Sequence, residues 1–265
     1  MLVGLSLTQM ATKDNILTEN SDNEMSFFDH LTDLRIRIMW IVIGLVIACI
    51  AAAFVTDFLL YNILLAPANN VTPPLKLQNI RPFGQALLYF KVLLFAGFIL
   101  SIPNTLYQLW LFVAPGLYEH ERSWVRKITF FTTFCFLAGI AFAYLIMIPT
   151  MLSFATGFGS TQIENSIEIN EYFGFISMTL LSAGLIFELP MISFVLARVG
   201  ILTSEFMTKY RRHAIIIILI IAAALTPSTD PFSQLVFAGP LWVLYEISII
   251  VVRASQKKKQ QTDSI

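Results

Sequence analysis

The sequence predicts an all-α polytopic membrane protein with six transmembrane helices and both termini in the cytoplasm. Three observations carry that prediction. Of 265 residues, 57% are hydrophobic and 13% charged, against about 25% charged in an ordinary soluble domain. Long apolar segments alternate with polar or proline-rich connections, and the basic residues favour every second connection. The formal net charge is zero, so no basic excess points to nucleic acid.

Residues 1–24 are polar and aperiodic and are expected to form a disordered extension. They lack the basic, apolar and small-residue regions of a signal peptide. The transmembrane domain is expected over 25–253. It opens with an amphipathic helix in which Phe27, Leu31, Leu34 and Ile38 share one face and Asp29, Asp33 and Arg37 lie on the polar side. Asp33 and Arg37 have the spacing of an i,i+4 ion pair. The first span follows at about 38–55, long enough to cross a hydrocarbon core of ~30 Å. In the connection 56–82, Pro67, Pro73, Pro74 and Pro82 exclude a helix through most of the segment. One or two surface turns over 58–65 are the most it should hold.

The second span, about 83–113, would be ~46 Å long at the helical rise. It must tilt, bend at Pro103 or protrude, and protrusion would carry Trp110 and Phe112 to the interface, where aromatic residues are favoured. Pro115-Gly116 then turns the chain into a mixed-charge hairpin with Glu119, His120, Glu121 and Arg122. The third span, about 128–148, should stop before Pro149. A connection over 154–170 is acidic and has no basic residue. The fourth span, about 171–199, carries Glu188 near its middle, with Pro190 two residues later. The fifth, about 213–226, would be only ~20 Å of helix. A tight turn containing Asp230 leads to the sixth span, about 232–252, and residues 254–265 form a basic tail.

Fourteen of the seventeen Lys and Arg residues fall on one side of this topology. That bias places both termini and the Pro115 hairpin in the cytoplasm. Lys91, Glu188 and Glu246 lie within spans, where ionisable groups are costly and therefore functional candidates. Lys91 can snorkel outward, and Glu246 can reach water or pair with Arg253. Glu188 is deeper. Pro190 leaves the carbonyl of Ile186 without its helical donor, so a distorted backbone is expected there, with Glu188 turned to protein or water. The bland alternative is a structural hydrogen bond between helices.

Cys49 and Cys135 are isolated in apolar runs, which makes neither a metal site nor a disulfide framework. No H-E-x-x-H, G-x-S-x-G or glycine-rich phosphate loop occurs, so no catalytic residue, metal or cofactor is assigned. A small-solute transporter with Glu188 as its coupling residue is the rival reading. It finds only a weak internal match between Ser101-Ile-Pro103 and Glu188-Leu-Pro190.

Four stretches in order, His30–Arg37, Tyr107–Arg122, Phe187–Pro190 and Leu225–Gln234, resemble those of the TatC family. TatC proteins are the polytopic core of the bacterial twin-arginine protein translocase. The resemblance runs from about Met25 to Arg253. It implies a receptor for twin-arginine signal peptides of folded cargo, in the bacterial cytoplasmic membrane and driven by the proton-motive force without a cofactor. It further implies Glu121 as the main carboxylate for the two arginines, with Asp33 at the matching acidic position where the family pattern has Glu. Leu34, Arg35, Phe112 and Arg122 would complete that site. It also implies a concave arrangement of helices containing Glu188. The partners implied are single-span Tat subunits of the TatA/TatB type in an oligomeric complex, with the short fifth span as a contact.

Overall fold

The computed structural model describes residues 31–72, 74–113, 122–157, 166–226 and 230–263, with the backbone alone at 113, 122–124 and 257–263. Its framework is helical. Five runs are long and apolar enough to cross a membrane: Leu31–Ala53, Gly84–Phe112, Val125–Gly157, Ile169–Val199 and Pro231–Gln256.

Helix α1 (Leu31–Ala53) joins the described part of the expected amphipathic segment, 31–38, to the first span as one continuous helix, while Phe27 and Asp29 lie outside the described residues. The connection that follows is more helical than its prolines suggest. It contains α2 (Thr56–Phe58), a π-helical turn (Leu59–Leu64) and α3 (Ala66–Asn70). Pro67 stands at the start of α3, where its missing N–H would have had no helical partner anyway. Nor is the segment superficial, because Leu60, Leu64 and Ala68 are buried in the main core. The carbonyls of Ile63 and Leu64 accept hydrogen bonds from the hydroxyls of Tyr144 and Tyr172, both at 2.9 Å. These bonds satisfy carbonyls that a helix end leaves open.

Strand β1 (Lys76–Gln78) leads into α4 (Gly84–Val113), which passes through Pro103 unbroken. Helix α5 (Arg122–Phe142) returns. A π-helical turn, Ala143–Met147, joins it to α6 (Ile148–Gly157). The expected stop before Pro149 is therefore incorrect: the wide turn comes just before the proline, and the helix runs nine residues past the expected end at 148. A π-bulge is a usual way for a helix to absorb such a disruption.

Strand β2 (Ser166–Glu168) pairs in parallel with β1, Leu77 opposite Ile167. This two-stranded element adds to the all-α expectation. It ties the connection before α4 to the one before α7 (Ile169–Ile186). The chain breaks at Phe187–Glu188 and resumes as α8 (Leu189–Val199), which ends on Gly200 at φ 93°. Only glycine takes that left-handed cap without penalty. Helix α9 (Ser204–Lys209), capped by Thr203, precedes α10 (Arg211–Leu225). At 15 residues, α10 is about 22 Å long, and it is not among the five runs long and apolar enough to cross a membrane. Helix α11 (Pro231–Asp263) continues through the basic tail.

Close helix packing relies on small residues. A methyl group at Gly97 of α4 would overlap the Cys49 side chain and come to 2.9 Å from its Cα. The core joins α4, the α5–α6 run, α7 and α11, with α8 against α11 and α10 beside it.

Candidate functional site

Helices α1 and α4 run antiparallel. Gly44 meets Asn104 and Cys49 meets Gly97, and the Asn104 amide donates to the Trp40 carbonyl at 3.1 Å. Asp33 lies seven residues before Trp40, and Phe112 eight residues after Asn104. Both are thus about two helical turns beyond that contact, at the same end of the molecule.

At this end Asp33 pairs with Arg37 at 3.2 Å, with the Asp33 side chain 51% exposed and that of Arg37 17%. An ion pair so exposed contributes at most about 1 kcal/mol, which leaves the carboxylate open to a better partner. Leu34 is half-buried, Arg35 exposed and Phe112 half-buried. Trp110 donates its indole N–H to Thr132 Oγ1 at 3.2 Å, fastening the end of α4 to α5. Glu121 and Pro115 lie outside the described residues, and with them the meeting of Glu121 with Asp33. Arg122 opens α5 by its backbone, its side chain being outside the described set.

Glu188 marks a second feature, at the break between α7 and α8. Pro190 occupies the first turn of α8, where the absent N–H is tolerated. The backbone distortion expected around this proline is present as a non-helical pair, Phe187–Glu188. Glu188 is 6% exposed and turned into the protein. Its Oε1 is buried without a hydrogen-bond partner among the described residues. Helix α5 closes over the break: a methyl group at Gly139 would come within 2.6 Å of the Ala183 carbonyl oxygen, and Phe142 packs on Phe187 with ring centroids 5.5 Å apart. An apolar cavity of about 460 Å³ lies between the π-helical turn Leu59–Leu64, α4, α5 and α7, with Tyr144 among its lining residues.

The other span-borne ions have partners. Lys91 reaches Asn170 Oδ1 at 3.4 Å. Glu246, for which water or Arg253 were the expected partners, pairs instead with Arg211 of α10 at 2.6 Å. Packing of α10 on α11 presents this cation, which lies 35 residues away in the sequence. Asp230 accepts from the Ser233 backbone N–H at 2.7 Å and, with Pro231 as the first helical residue, starts α11. Pro67 and Asp230 thus stand at helix starts, and α4 runs through Pro103 without interruption.

One buried carboxylate escaped sequence reading. Glu168, 7% exposed, accepts from the Asn170 side chain at 2.8 Å and from the Glu171 N–H at 3.0 Å. The Asn170 side chain first, then the backbone N–H groups and the charge of Arg81, hold its carboxyl below the usual carboxylate range against the opposing pull of burial. The Glu168–Asn170–Glu171 order at a helix start was the available signal. Among the described residues, no group of three or more His, Cys, Asp or Glu is placed to hold a metal.

Residues 29–240 match the family described as TatC, the Sec-independent protein translocase protein. A Sec-independent protein translocase protein TatC from Carboxydothermus hydrogenoformans is 37% identical over 238 residues, 90% of this chain and 97% of that protein. TatCy of Bacillus subtilis is 32% identical over 257 residues, 94% and 96% of the two chains. A crystal structure described as the twin-arginine translocase receptor TatC matches with a TM-score of 0.75 at 31% identity. That match covers 86% of this chain and 99% of the other.

Proposed function

The chain belongs to the TatC family of Sec-independent protein translocase proteins, and we propose that Glu121 and Asp33 form its receptor for twin-arginine signal peptides. The observation that carries this reading is the antiparallel contact of α1 and α4, which brings Asp33 and Phe112 to one end of the bundle. The Pro115 hairpin with Glu121 follows Phe112 directly in the chain. A carboxylate takes a guanidinium through paired, charge-assisted hydrogen bonds that an ammonium cannot duplicate.

In this reading the protein crosses the bacterial cytoplasmic membrane six times with both termini inside, because fourteen of seventeen basic residues favour that side. It works in an oligomeric complex with single-span subunits of the TatA/TatB type, which meet it along the short α10. Folded cargo passes on the proton-motive force, and α10, at 15 residues, thins the bilayer beside it. Extending α10 by several leucines should then impair export, and unchanged export would count against thinning.

The receptor assignment is tested with the purified protein and a twin-arginine peptide. Glu121→Ala should weaken binding about tenfold or more, since a hydrogen bond to a charged group contributes about 1.5 to 3 kcal/mol. Glu121→Arg should weaken it further, and a twin-lysine peptide should bind poorly to the wild type. Binding indifferent to both substitutions rejects the assignment.

A further inference from the structure

A groove of about 590 Å³ opens between the start of α5, the last turns of α8 and the end of α11. Its chemistry is two-part. Phe131, Met191 and Phe194 line an apolar stretch, while Lys127, Arg198 and Ser255 line the same groove with two cations and a hydroxyl. The cations stand near helix ends, Lys127 six residues into α5 and Arg198 one residue before the end of α8. The Arg198 guanidinium carbon stands 5.8 Å from the centroid of the Phe194 ring, so the charged head lies against the apolar wall of the groove in a cation–π contact.

Ser255 supplies an independent sign. It is 6% exposed, and its hydroxyl has no hydrogen-bond partner among the described residues. A buried hydroxyl without a partner costs stability, although a serine in a helix can usually bond to the carbonyl four residues back. Here that bond is absent and the side chain borders the groove.

We propose that this groove is a binding site for an anionic phospholipid, with the headgroup phosphate held by Lys127, Arg198 and Ser255 and an acyl chain along Phe131, Met191 and Phe194. Charge complementarity selects the occupant: among the described residues, the lining of the groove offers two cations and no carboxylate. The guanidinium suits a phosphate oxygen pair and the hydroxyl donates to a third oxygen. Basic pockets between transmembrane helices are suited to such headgroups.

The test uses the full chain in mild detergent, titrated with phosphatidylglycerol or phosphatidylcholine of matched acyl chains, with retained lipid counted by native mass spectrometry. Phosphatidylglycerol should be retained at least about tenfold more tightly than phosphatidylcholine. Lys127→Gln with Arg198→Gln should abolish the preference, at about fivefold for each cation. Lys127→Arg should keep it, and inorganic phosphate at matched concentration should not displace the lipid, because it lacks the acyl chain. If the double variant does not fold, the exposed single change Lys127→Gln must still reduce the preference. Equal retention of the two lipids, or a preference unchanged by Lys127→Gln, overturns the proposal and leaves the groove to an apolar protein helix.

Discussion

Glu168 and Glu188 are equally buried and oppositely served. Glu168, 7% exposed, sits at the start of α7, with its carboxylate bonded to Asn170 and to the Glu171 N–H. Glu188, 6% exposed, sits where the same helical run breaks, with Oε1 unmatched. The first completes a network that also takes in the Gly84 carbonyl and Lys91 through Asn170, so it locks the β1–β2 end of the bundle to the starts of α4 and α7. The second contributes nothing comparable to the fold. Leaving a buried acceptor without a partner is unfavourable by about 1 to 3 kcal/mol, so Glu188 burdens the fold where Glu168 supports it.

That contrast can be broken by changing what encloses each carboxylate. The largest effect is expected for Gly139→Val, which forces α5 away from the Ala183 carbonyl and from Phe187. Overpacking of this kind destabilises by up to about 3 kcal/mol, and a lower melting temperature in detergent with cysteine labelling newly admitted at an engineered Glu188→Cys would show it. Glu168→Ala follows at about 2 kcal/mol, from the lost cap and the abandoned Asn170 amide. Its expected signature is faster hydrogen exchange at the first turn of α7. Tyr172→Phe removes one hydroxyl from the Leu64 carbonyl and should lower stability by about 1 kcal/mol, read from the same melting curves.

The smallest effect is a pH dependence. The Glu168 carboxyl is held below its ordinary value of 4.5 by its hydrogen bonds. Its contribution is therefore complete above that value and is lost as pH falls through the lower folded one. The difference in melting temperature between wild type and Glu168→Gln should be constant above about pH 5 and shrink in more acid solution. A difference that grows on acidification would contradict the assignment.

Much of this was legible in the sequence for physical reasons. Apolar runs report the bilayer directly, so the five long apolar helices, the short α10 and the break at Phe187–Glu188 follow from residue type and proline alone. Pro149 shows the opposite. Proline forbids an ordinary α-helical bond, yet the π-helical turn Ala143–Met147 just before it lets the helix continue, and nothing local announces that solution. The β1–β2 pairing joins segments about ninety residues apart, beyond any periodicity. The pairing of Glu246 with Arg211 likewise comes from the packing of α10 on α11. At the candidate site, Asp33 and Arg37 were readable as a pair from spacing, whereas the alignment of Asp33 with Phe112 needed the contact of Trp40 with Asn104.

The most direct test pairs two readouts on Glu188→Leu: the melting temperature of the purified protein and the export of a folded twin-arginine cargo by cells that carry it as the sole copy. Replacing a buried, incompletely bonded carboxylate by an apolar side chain of similar size should leave stability unchanged or raise it by about 1 kcal/mol, while export falls at least about tenfold. A variant that is less stable by 2 kcal/mol or more and exports normally once folded would show that Glu188 holds the structure together and does not serve translocation.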